Sequence, residues 1–370
     1  MILSSIQLKN LRNHKNISLA FSDGLNYIVG ENGAGKTTIL EAIYYLCTTK
    51  SIFAKTDSEV VSFNEEEFEI IGEFRDKSNS TVRVYFSQAE NKKYYFDNNK
   101  NVTRLSEVIG KYPVVLLTPA DHSITQGSPA DRRKFVDSII SQVSSTYLKI
   151  LIDYNRCLRQ RASLLNQVKE GRRKDVDIEI KAWTEKLITS GVEIIKHKII
   201  FLKDFIDHFK ESYKKILKEK EIPNIEYRYL NNSRSADVHQ EFVEQLNSLK
   251  GEELRRGTNL VGPHRDEFVF RINDVNLKQF GSQGQHKTFQ TALRFAEFFY
   301  IKSATGKSPL LLLDDVFGEL DAERVSKISS YLPEVGQTFI TMTDLPNFSF
   351  LRKSSEDRII YIEEKNIRYA

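Results

Sequence analysis

One octapeptide stands out in the sequence, Gly30-Glu31-Asn32-Gly33-Ala34-Gly35-Lys36-Thr37. Its spacing is that of a phosphate-binding loop, in which two glycines are separated by four residues and the second is followed by lysine and threonine. An apolar run at residues 25–29 precedes it, and residues 36–47 carry apolar side chains at helical spacing. Backbone N–H groups of such a loop converge on one point, where the helix N-terminus adds positive potential. The sequence therefore predicts a nucleotide site in which Lys36 reaches the phosphates and Thr37 ligates Mg²⁺.

Two adjacent acids, Asp314 and Asp315, end a run of four leucines at residues 310–313. Such a run is typical of a strand that is buried on both faces of a parallel sheet. A phosphate loop needs a carboxylate for its metal ion and, where ATP is hydrolysed, a group that orients water. We therefore predict that Asp314 holds Mg²⁺ and that Asp315 polarises the attacking water. A strand closed by two turn-forming acids is the alternative, and the phosphate loop makes it the weaker one.

The spacing of apolar residues divides the rest of the chain into helical and strand-like regions. Helical spacing dominates from about residue 125 to 250, where two long helices are predicted to join near residues 171–174. A further helix is predicted from about residue 285 to 303. The predicted strands are residues 2–8, 25–29, 69–74, 81–86, 114–117, 268–272, 310–313 and 338–341. We predict one α/β domain built from residues 1–124 and 251–370, with a basic, mostly helical lobe inserted at residues 125–250.

Composition narrows the class of protein. Hydrophobic residues make up 40% and charged residues 28% of the 370 residues, which is typical of a globular chain and not of a disordered one. Apolar runs fall short of the roughly 18 residues that a membrane span needs, and no secretion signal is recognisable. Cys47 and Cys157 are too few for a disulfide framework and lack metal-ligand spacing. We therefore expect no membrane partner and a reducing, cytoplasmic location.

Positive charge is concentrated in the middle of the chain. Residues 146–220 contain 18 Lys or Arg against 11 Asp or Glu, a net charge of +7, whereas the whole chain carries +4. The clusters are Arg172-Arg173-Lys174 and Lys214, Lys215, Lys218 and Lys220. Cations near DNA phosphates strengthen binding by releasing counterions, and nothing here resembles a base-reading motif. Any DNA binding should therefore depend on backbone and shape, while a merely solvated helix face is the alternative that composition alone favours.

Two further segments carry a family resemblance. Gly281-Ser282-Gln283-Gly284-Gln285, the signature segment, precedes a predicted helix, and Glu319-Leu320-Asp321 follows the two acids. Their order after the phosphate loop resembles that of ABC-type ATPases, which include SMC proteins, and most closely that of the RecF recombination-mediator family. Further similar stretches, which span nearly the whole chain, are Leu8-Lys9-Asn10-Leu11-Arg12-Asn13, Gly127-Ser128-Pro129, Arg132-Arg133, Val261-Gly262-Pro263-His264-Arg265-Asp266 and Asp314-Asp315-Val316-Phe317-Gly318-Glu319-Leu320-Asp321.

The resemblance implies an ABC-type ATPase head whose signature segment completes the active site of the opposite subunit. Two ATP molecules would then be enclosed between two protomers, so that ATP, and not ADP, would hold a homodimer together. The resemblance also places Arg12 near the phosphates, with a solvated surface arginine as the alternative. For Ser282 the alternative is a simple helix cap. The predicted cofactor-binding residues are Arg12, Gly30, Glu31, Asn32, Gly33, Ala34, Gly35, Lys36, Thr37, Ser282, Gly284 and Gln285.

The resemblance further implies a function in DNA repair, replication and recombination. It points to binding of gapped or junction DNA, to RecR and RecO as partners, and to loading of RecA on single-stranded DNA. Two departures from the ABC pattern imply slow hydrolysis: Asp315 stands where most ABC enzymes have Glu, and Thr343 where they have a switch histidine. The loop with His264, Arg265 and Asp266 is expected to line the dimer cleft or DNA path, or else to be ordered by a local ion pair.

Two alternatives from other classes stay open. A transport ATPase subunit would normally carry Leu-Ser-Gly-Gly-Gln and a switch histidine, and this sequence has neither. A structural SMC-like protein would need hundreds of heptad residues, where the insert offers only about 120. The sequence therefore favours an ATP-regulated DNA-binding protein.

Overall fold

The computed structural model describes residues 1–173, 175–217, 221–232, 237–319, 321–343, 357–363 and 366–369. Its strands are β1 Ile2–Leu11, β2 His14–Ala20, β3 Leu25–Val29, β4 Glu67–Arg75, β5 Asn79–Ser87, β6 Lys92–Asp97, β7 Lys100–Asn101, β8 Val114–Leu117, β9 Pro223–Arg228, β10 Glu267–Ile272, β11 Val275–Asn276, β12 Leu310–Asp314, β13 Thr338–Met342, β14 Arg358–Glu363 and β15 Asn366–Tyr369. Its helices are α1 Lys36–Thr48, α2 His122–Gln126, α3 Pro129–Val143, α4 Ser145–Lys169, α5 Asp177–Ile216, α6 Val238–Arg256, α7 Leu277–Phe280, α8 Gln283–Thr305 and α9 Ala322–Tyr331.

One sheet is antiparallel and lies in the N-terminal part of the chain. Its strands follow the order β2-β1-β4-β5-β6-β7. Along β4, every second side chain from Phe68 to Phe74 is buried, because one sheet face meets the core and the other meets solvent. The alternation predicted β1, β4 and β5, whereas β2, β6 and β7 were not predicted. Strand β6 exposes or half-exposes most of its side chains, so its apolar alternation is weak.

The second sheet holds the phosphate loop. Its strands follow the order β15-β14-β3-β13-β12-β8, and all neighbouring pairs except β14 and β15 are parallel. The four leucines of β12 are fully buried, as expected for a strand that is covered on both faces. The strands predicted at residues 25–29, 114–117, 310–313 and 338–341 are confirmed, and all four lie in this sheet.

Helix α1 packs against strands of both sheets, and its apolar side chains join them in one core. Ile39, Leu40 and Ile43 of the helix are fully buried in that cluster, together with side chains of β1, β4, β12 and β13. The phosphate loop connects β3 to α1, and Ile28 of β3 lies in the same core, so the loop is anchored in this core at both ends. A rigid frame of this kind limits the conformations that the short loop can adopt.

The chain forms two compact units. The first comprises residues 1–121, 211–219 and 287–370, and it contains both large sheets. The second comprises residues 122–210 and 220–286, which include α2, α3, α4 and α6 and the small antiparallel sheet β11-β10-β9. Helices α4 and α5 are the two long helices expected on either side of residues 171–174. Among the described residues, no helix combines the length and the apolar character required to cross a membrane.

The second unit extends beyond the limit of residue 250 that we predicted for the lobe. Strand β10 pairs with β9 along the whole of its length, and residues 267–272 fall within the second unit. The signature segment also falls within the second unit. In addition, residues 211–219 return to the first unit, and Lys214 and Lys215 go with them. The boundaries of the two units depend on pairing between segments that are far apart in the sequence. The hydrophobic period along the chain does not reveal such pairing.

Candidate nucleotide-binding site

The phosphate loop has the backbone geometry that its glycines allow. Gly35 precedes α1 at φ 95°, in the left-handed region that other residues rarely adopt. At Gly30 a Cβ atom would lie 2.5 Å from the carbonyl oxygen of Ile362, so a side chain at this position would collide with β14. Glu31, Asn32 and Gly33 are exposed, which leaves the loop open to a ligand.

Lys36 folds back over the loop. Its Nζ donates hydrogen bonds to the carbonyl oxygens of Gly30, at 2.7 Å, and Glu31, at 2.8 Å. The side chain is buried, and burial lowers the pKa of the ammonium, whereas the negative charges of Asp315 and Asp314 raise it. The two predicted carboxylates therefore lie close enough to Lys36 for their negative charges to favour its protonated form.

Thr37 and Asp314 are brought together by the pairing of distant segments. The Thr37 hydroxyl donates to Asp314 Oδ1 at 2.9 Å, and the same oxygen accepts a hydrogen bond from the Thr341 hydroxyl at 2.8 Å. Asp314 is buried, so its position is fixed by these bonds and by the packing of β12. Both predicted metal ligands thus place an oxygen at one point at the beginning of α1. Thr341, on the neighbouring strand β13, was not predicted to be part of the site.

Asp315 occupies the turn that follows β12. Its side chain is exposed, and its backbone adopts φ 50°, a left-handed conformation that aspartate tolerates better than most residues. The Asp315 N–H donates to the Thr341 hydroxyl at 2.9 Å, which in turn donates to Asp314. Thr341 therefore links the backbone of one acid to the carboxylate of the other.

Arg12 is held by a carboxylate of α1. Its Nε and its NH2 nitrogen donate to the two oxygens of Glu41, the latter at 2.8 Å, and Glu41 also accepts from the Ser51 hydroxyl. The hydrogen bond to Glu41 is the main reason that the pKa of the guanidinium is raised. Arg12 is therefore not a free surface arginine, and its predicted role at the phosphates stays a prediction.

The signature segment caps α8. The Ser282 hydroxyl accepts from the Gln285 N–H at 3.2 Å, and the Gln285 side chain accepts from the Ser282 N–H at 2.9 Å. This reciprocal pair is a capping box, so the cap that we considered as an alternative for Ser282 is present. The Gln285 side chain also donates to Glu221 at 2.8 Å. Ser282 remains exposed and Gly284 half-buried, and the role of Ser282, Gly284 and Gln285 toward the ATP of a partner protomer stays a prediction.

The loop from Val261 to Asp266 is tied into the second unit. His264 Nδ1 lies 2.7 Å from the Tyr154 hydroxyl, and burial lowers the pKa of this histidine to about 4. Asp266 is buried and accepts from the Tyr227 hydroxyl. These contacts support a structural role for His264 and Asp266, and the expectation that this loop lines the dimer cleft or DNA path stays a prediction.

The basic clusters are partly paired with acids. Arg172 lies 3.0 Å from Glu170, and Arg173 lies 2.7 Å from Glu179. Lys215 lies 2.6 Å from Glu334 and over the Tyr331 ring. Lys174, Lys218 and Lys220 lie outside the described residues. Pairing lowers the net charge that these clusters present, so DNA contact by them stays a prediction.

The family model of the RecF/RecN/SMC N-terminal domain matches residues 2–360. The DNA replication and repair protein RecF of Salinibacter ruber is 40% identical over 352 residues, which are 93% of this chain and 85% of that protein. RecF of Chloroherpeton thalassium is 37% identical over 369 residues, covering 97% of this chain and 100% of that protein.

Solved structures agree with these matches. The recombination mediator protein RecF-ATPrS of the RecFOR pathway has a TM-score of 0.90 at 29% identity, covering 100% of this chain and 98% of that chain. The Smc head domain of Pyrococcus furiosus has a TM-score of 0.58 at 17% identity, covering 100% and 95%, and shows the fold alone. The predicted α/β head, common to RecF and Smc, is thus confirmed, and the chain belongs to the RecF family.

Proposed function

We propose that this chain is an ATP-binding, ATP-hydrolysing protein of DNA replication and recombinational repair. The observation that carries the proposal is the convergence of Lys36, Thr37 and Asp314 at the start of α1, in a chain that belongs to the RecF family. RecF structures with ATP and with ATPrS resemble this chain at TM-scores of 0.88 and 0.90, which supports ATP as the nucleotide.

Each side chain has a distinct task in this proposal. The loop N–H groups and Lys36 would bind the phosphates, and Asp315 would orient the attacking water. The Thr37 hydroxyl and the Asp314 carboxylate are hard oxygen ligands 2.9 Å apart, which fits Mg²⁺, because this ion binds few protein oxygens and shares its other positions with phosphates and water. A bound Mg²⁺ would neutralise negative charge on the phosphates. Within the described residues no three-residue His, Cys, Asp or Glu metal cluster competes with this site.

The two alternative classes are less well supported. Helices α4 and α5 contain 25 and 40 residues, far below the length of a structural SMC coiled coil. The relatives at 40% and 37% identity are RecF proteins and not transport subunits. The names of the relatives and of the RecFOR-pathway structure support a role in DNA replication, repair and recombination. The wider proposal adds binding of gapped or junction DNA, RecR and RecO as partners, and loading of RecA.

ATP is proposed to hold two protomers together, with each signature segment facing the nucleotide bound by the partner. Sizing of the protein with ATP, with ADP and without nucleotide tests this directly. We expect a dimer only with ATP, because the signature segment would contact the γ-phosphate that ADP lacks. Identical elution under all three conditions would refute ATP-dependent dimerisation while leaving ATP binding intact.

Replacing Asp315 with Asn should separate binding from hydrolysis. Asp314, Thr37 and Lys36 remain in place, so ATP affinity should change by less than about threefold, whereas turnover should fall by about 100-fold or more, because the carboxamide is a poor base. Equilibrium ATP titration and phosphate release measure the two quantities, with Asp274→Asn as a control at an exposed turn of the second unit. Normal turnover by Asp315→Asn would place the water-orienting group elsewhere.

DNA binding is proposed to rest on phosphate contacts of the second unit. Affinity should fall by about 10- to 100-fold between 50 and 200 mM salt, and it should vary little with sequence. Removal of one contacting cation should reduce the slope of log affinity against log salt by about one. We expect this for Arg173→Ala and not for the control Arg75→Ala in the antiparallel sheet. A flat salt response, or strong preference for one sequence, would contradict the proposal.

A further inference from the structure

The turn between β1 and β2 lies against the phosphate loop. Asn13 Nδ2 donates to the carbonyl oxygen of Gly33 at 3.1 Å, and His14 Nε2 lies 3.0 Å from the carbonyl oxygen of Gly35. We propose that Asn13 and His14 are positioning residues, which hold the phosphate loop in its nucleotide-binding conformation before ATP arrives. The inference rests on the proposed function of the loop, because it concerns how the same site is kept ready.

The contact with a carbonyl oxygen determines which ring nitrogen of His14 carries the hydrogen in this hydrogen bond. A carbonyl oxygen can only accept a hydrogen bond, so the hydrogen must be on Nε2. The side chain is only 6% exposed, and burial lowers the pKa of the imidazole, while the bond to Gly35 raises it. The Nε2–H is therefore directed at the loop. A buried N–H needs such a partner, so the bond is costly to break.

The hydrogen bond from His14 to the Gly35 carbonyl also affects the Lys36 N–H, because the two groups belong to the same planar peptide unit. The structure has no cis peptide among its described residues, so the carbonyl of Gly35 and the N–H of Lys36 point in opposite directions. The Lys36 N–H is among the first of α1, which have no acceptor within the helix and are available to a phosphate. The carbonyl of Gly35 also accepts from the Ile39 N–H at 3.3 Å, so His14 adds a second and shorter hydrogen bond that restrains the carbonyl and, with it, the direction of the Lys36 N–H.

Asn13 supplies a second attachment. Besides the bond to Gly33, its Oδ1 accepts from the Thr38 hydroxyl at 3.2 Å, so the side chain connects the middle of the loop to the first turn of α1. Gly33 has φ 86°, and a glycine in this region is free to change conformation unless something restrains it. The Asn13 side chain is such a restraint.

The two surfaces are in close contact. A Cβ atom added at Gly35 would lie 2.3 Å from His14 Nε2 and 2.7 Å from Asn13 Nδ2. Glycine is therefore required at position 35 for two reasons: its φ is positive, and a side chain would collide with the turn between β1 and β2. The neighbouring Arg12 binds Glu41 of α1, so three consecutive side chains anchor the turn to the loop and its helix.

The test compares His14→Leu, which removes the donor, with His14→Gln, whose amide nitrogen can replace Nε2. We expect ATP affinity to fall about five- to tenfold in His14→Leu and to recover to within about twofold of wild type in His14→Gln. Turnover at saturating ATP should change much less than affinity, because bound phosphates hold the loop themselves. His239→Leu, at an exposed histidine of α6, is the matched control. Thermal melts on the same preparations verify folding.

Each outcome separates this inference from the proposed function. A wild-type protein that does not bind ATP refutes the proposed function. A wild-type protein that binds ATP while His14→Leu binds it equally well refutes the positioning role, and so does a His14→Gln variant as weak as His14→Leu. Should His14→Leu fail to fold, Asn13→Ala decides, since Asn13 is exposed. An affinity loss of about threefold supports the inference, and wild-type affinity overturns it.

Discussion

Replacement of Lys36 by arginine should lower ATP affinity by about 100-fold, although the positive charge is kept. The Lys36 ammonium fits inside the loop, where it donates to the carbonyl oxygens of Gly30 and Glu31 at 2.7 and 2.8 Å. A planar guanidinium is larger and cannot occupy that space with the same geometry. Loss of charge-assisted hydrogen bonds to phosphate costs about 3 kcal/mol, which corresponds to the stated factor.

The measurement is an equilibrium titration with ATP, combined with a thermal melt of each variant. Lys50→Arg is the matched control, since Lys50 is exposed just beyond the end of α1 and should tolerate the change. If Lys36→Arg binds ATP as tightly as wild type, Lys36 does not contact the phosphates. The assignment of the loop as the nucleotide site would then fail.

Replacement of Ser282 by arginine should abolish ATP-dependent dimerisation and leave ATP binding by each monomer unchanged. In the proposed dimer, Ser282 packs against the nucleotide of the partner, where a long charged side chain has no room. In the monomer Ser282 is exposed, so the folded chain can accommodate the change. The expected effect is the complete loss of the dimer peak in sizing with ATP.

Ser282→Ala separates the cap from the interface. It removes the acceptor of the Gln285 N–H and should cost about 1 kcal/mol of stability, seen as a melting temperature lower by a few degrees. If the hydroxyl only caps the helix, Ser282→Ala and Ser282→Arg should both melt slightly lower and both still dimerise with ATP. That result would refute the composite site, whereas selective loss of the dimer in Ser282→Arg supports it.

The sequence predicted the residues of the site better than their arrangement. The phosphate loop could be recognised because its function requires a fixed local spacing, and Asp314 because it ends a strand of four leucines. Thr341 was missed, since its relevance depends on β13 lying beside β12. Strand order in a parallel sheet is set by crossover connections, which leave no local pattern. Asn13 and His14 were not predicted as site residues, because they belong to the antiparallel hairpin β1–β2 and reach the loop only in the folded chain.

The second unit was predicted least well. Its long helices α4 and α5 have a strong hydrophobic period and were expected, whereas α3 and α6 were not separately predicted. One reason that these helices were hard to predict is that they bury polar and charged groups. Arg161 of α4 pairs with Glu253 of α6, and both side chains are buried, although charged residues ordinarily indicate an exposed helix face. A pattern based on hydrophobicity therefore places such residues on the wrong side of the helix.

The first unit is built from separate segments of the chain, and this determines when it can finish folding during synthesis. In the parallel sheet, Ile28 of β3 pairs with Thr341 on one side and with Ile360 on the other. A ribosome releases the N-terminal end first, so β3 lacks its neighbours in the sheet until residues 338–361 have been made. Residues 122–286 contain all of the second unit and can fold earlier. Contacts of such high sequence separation form slowly, so a newly made chain should acquire nucleotide binding only after the second unit has folded.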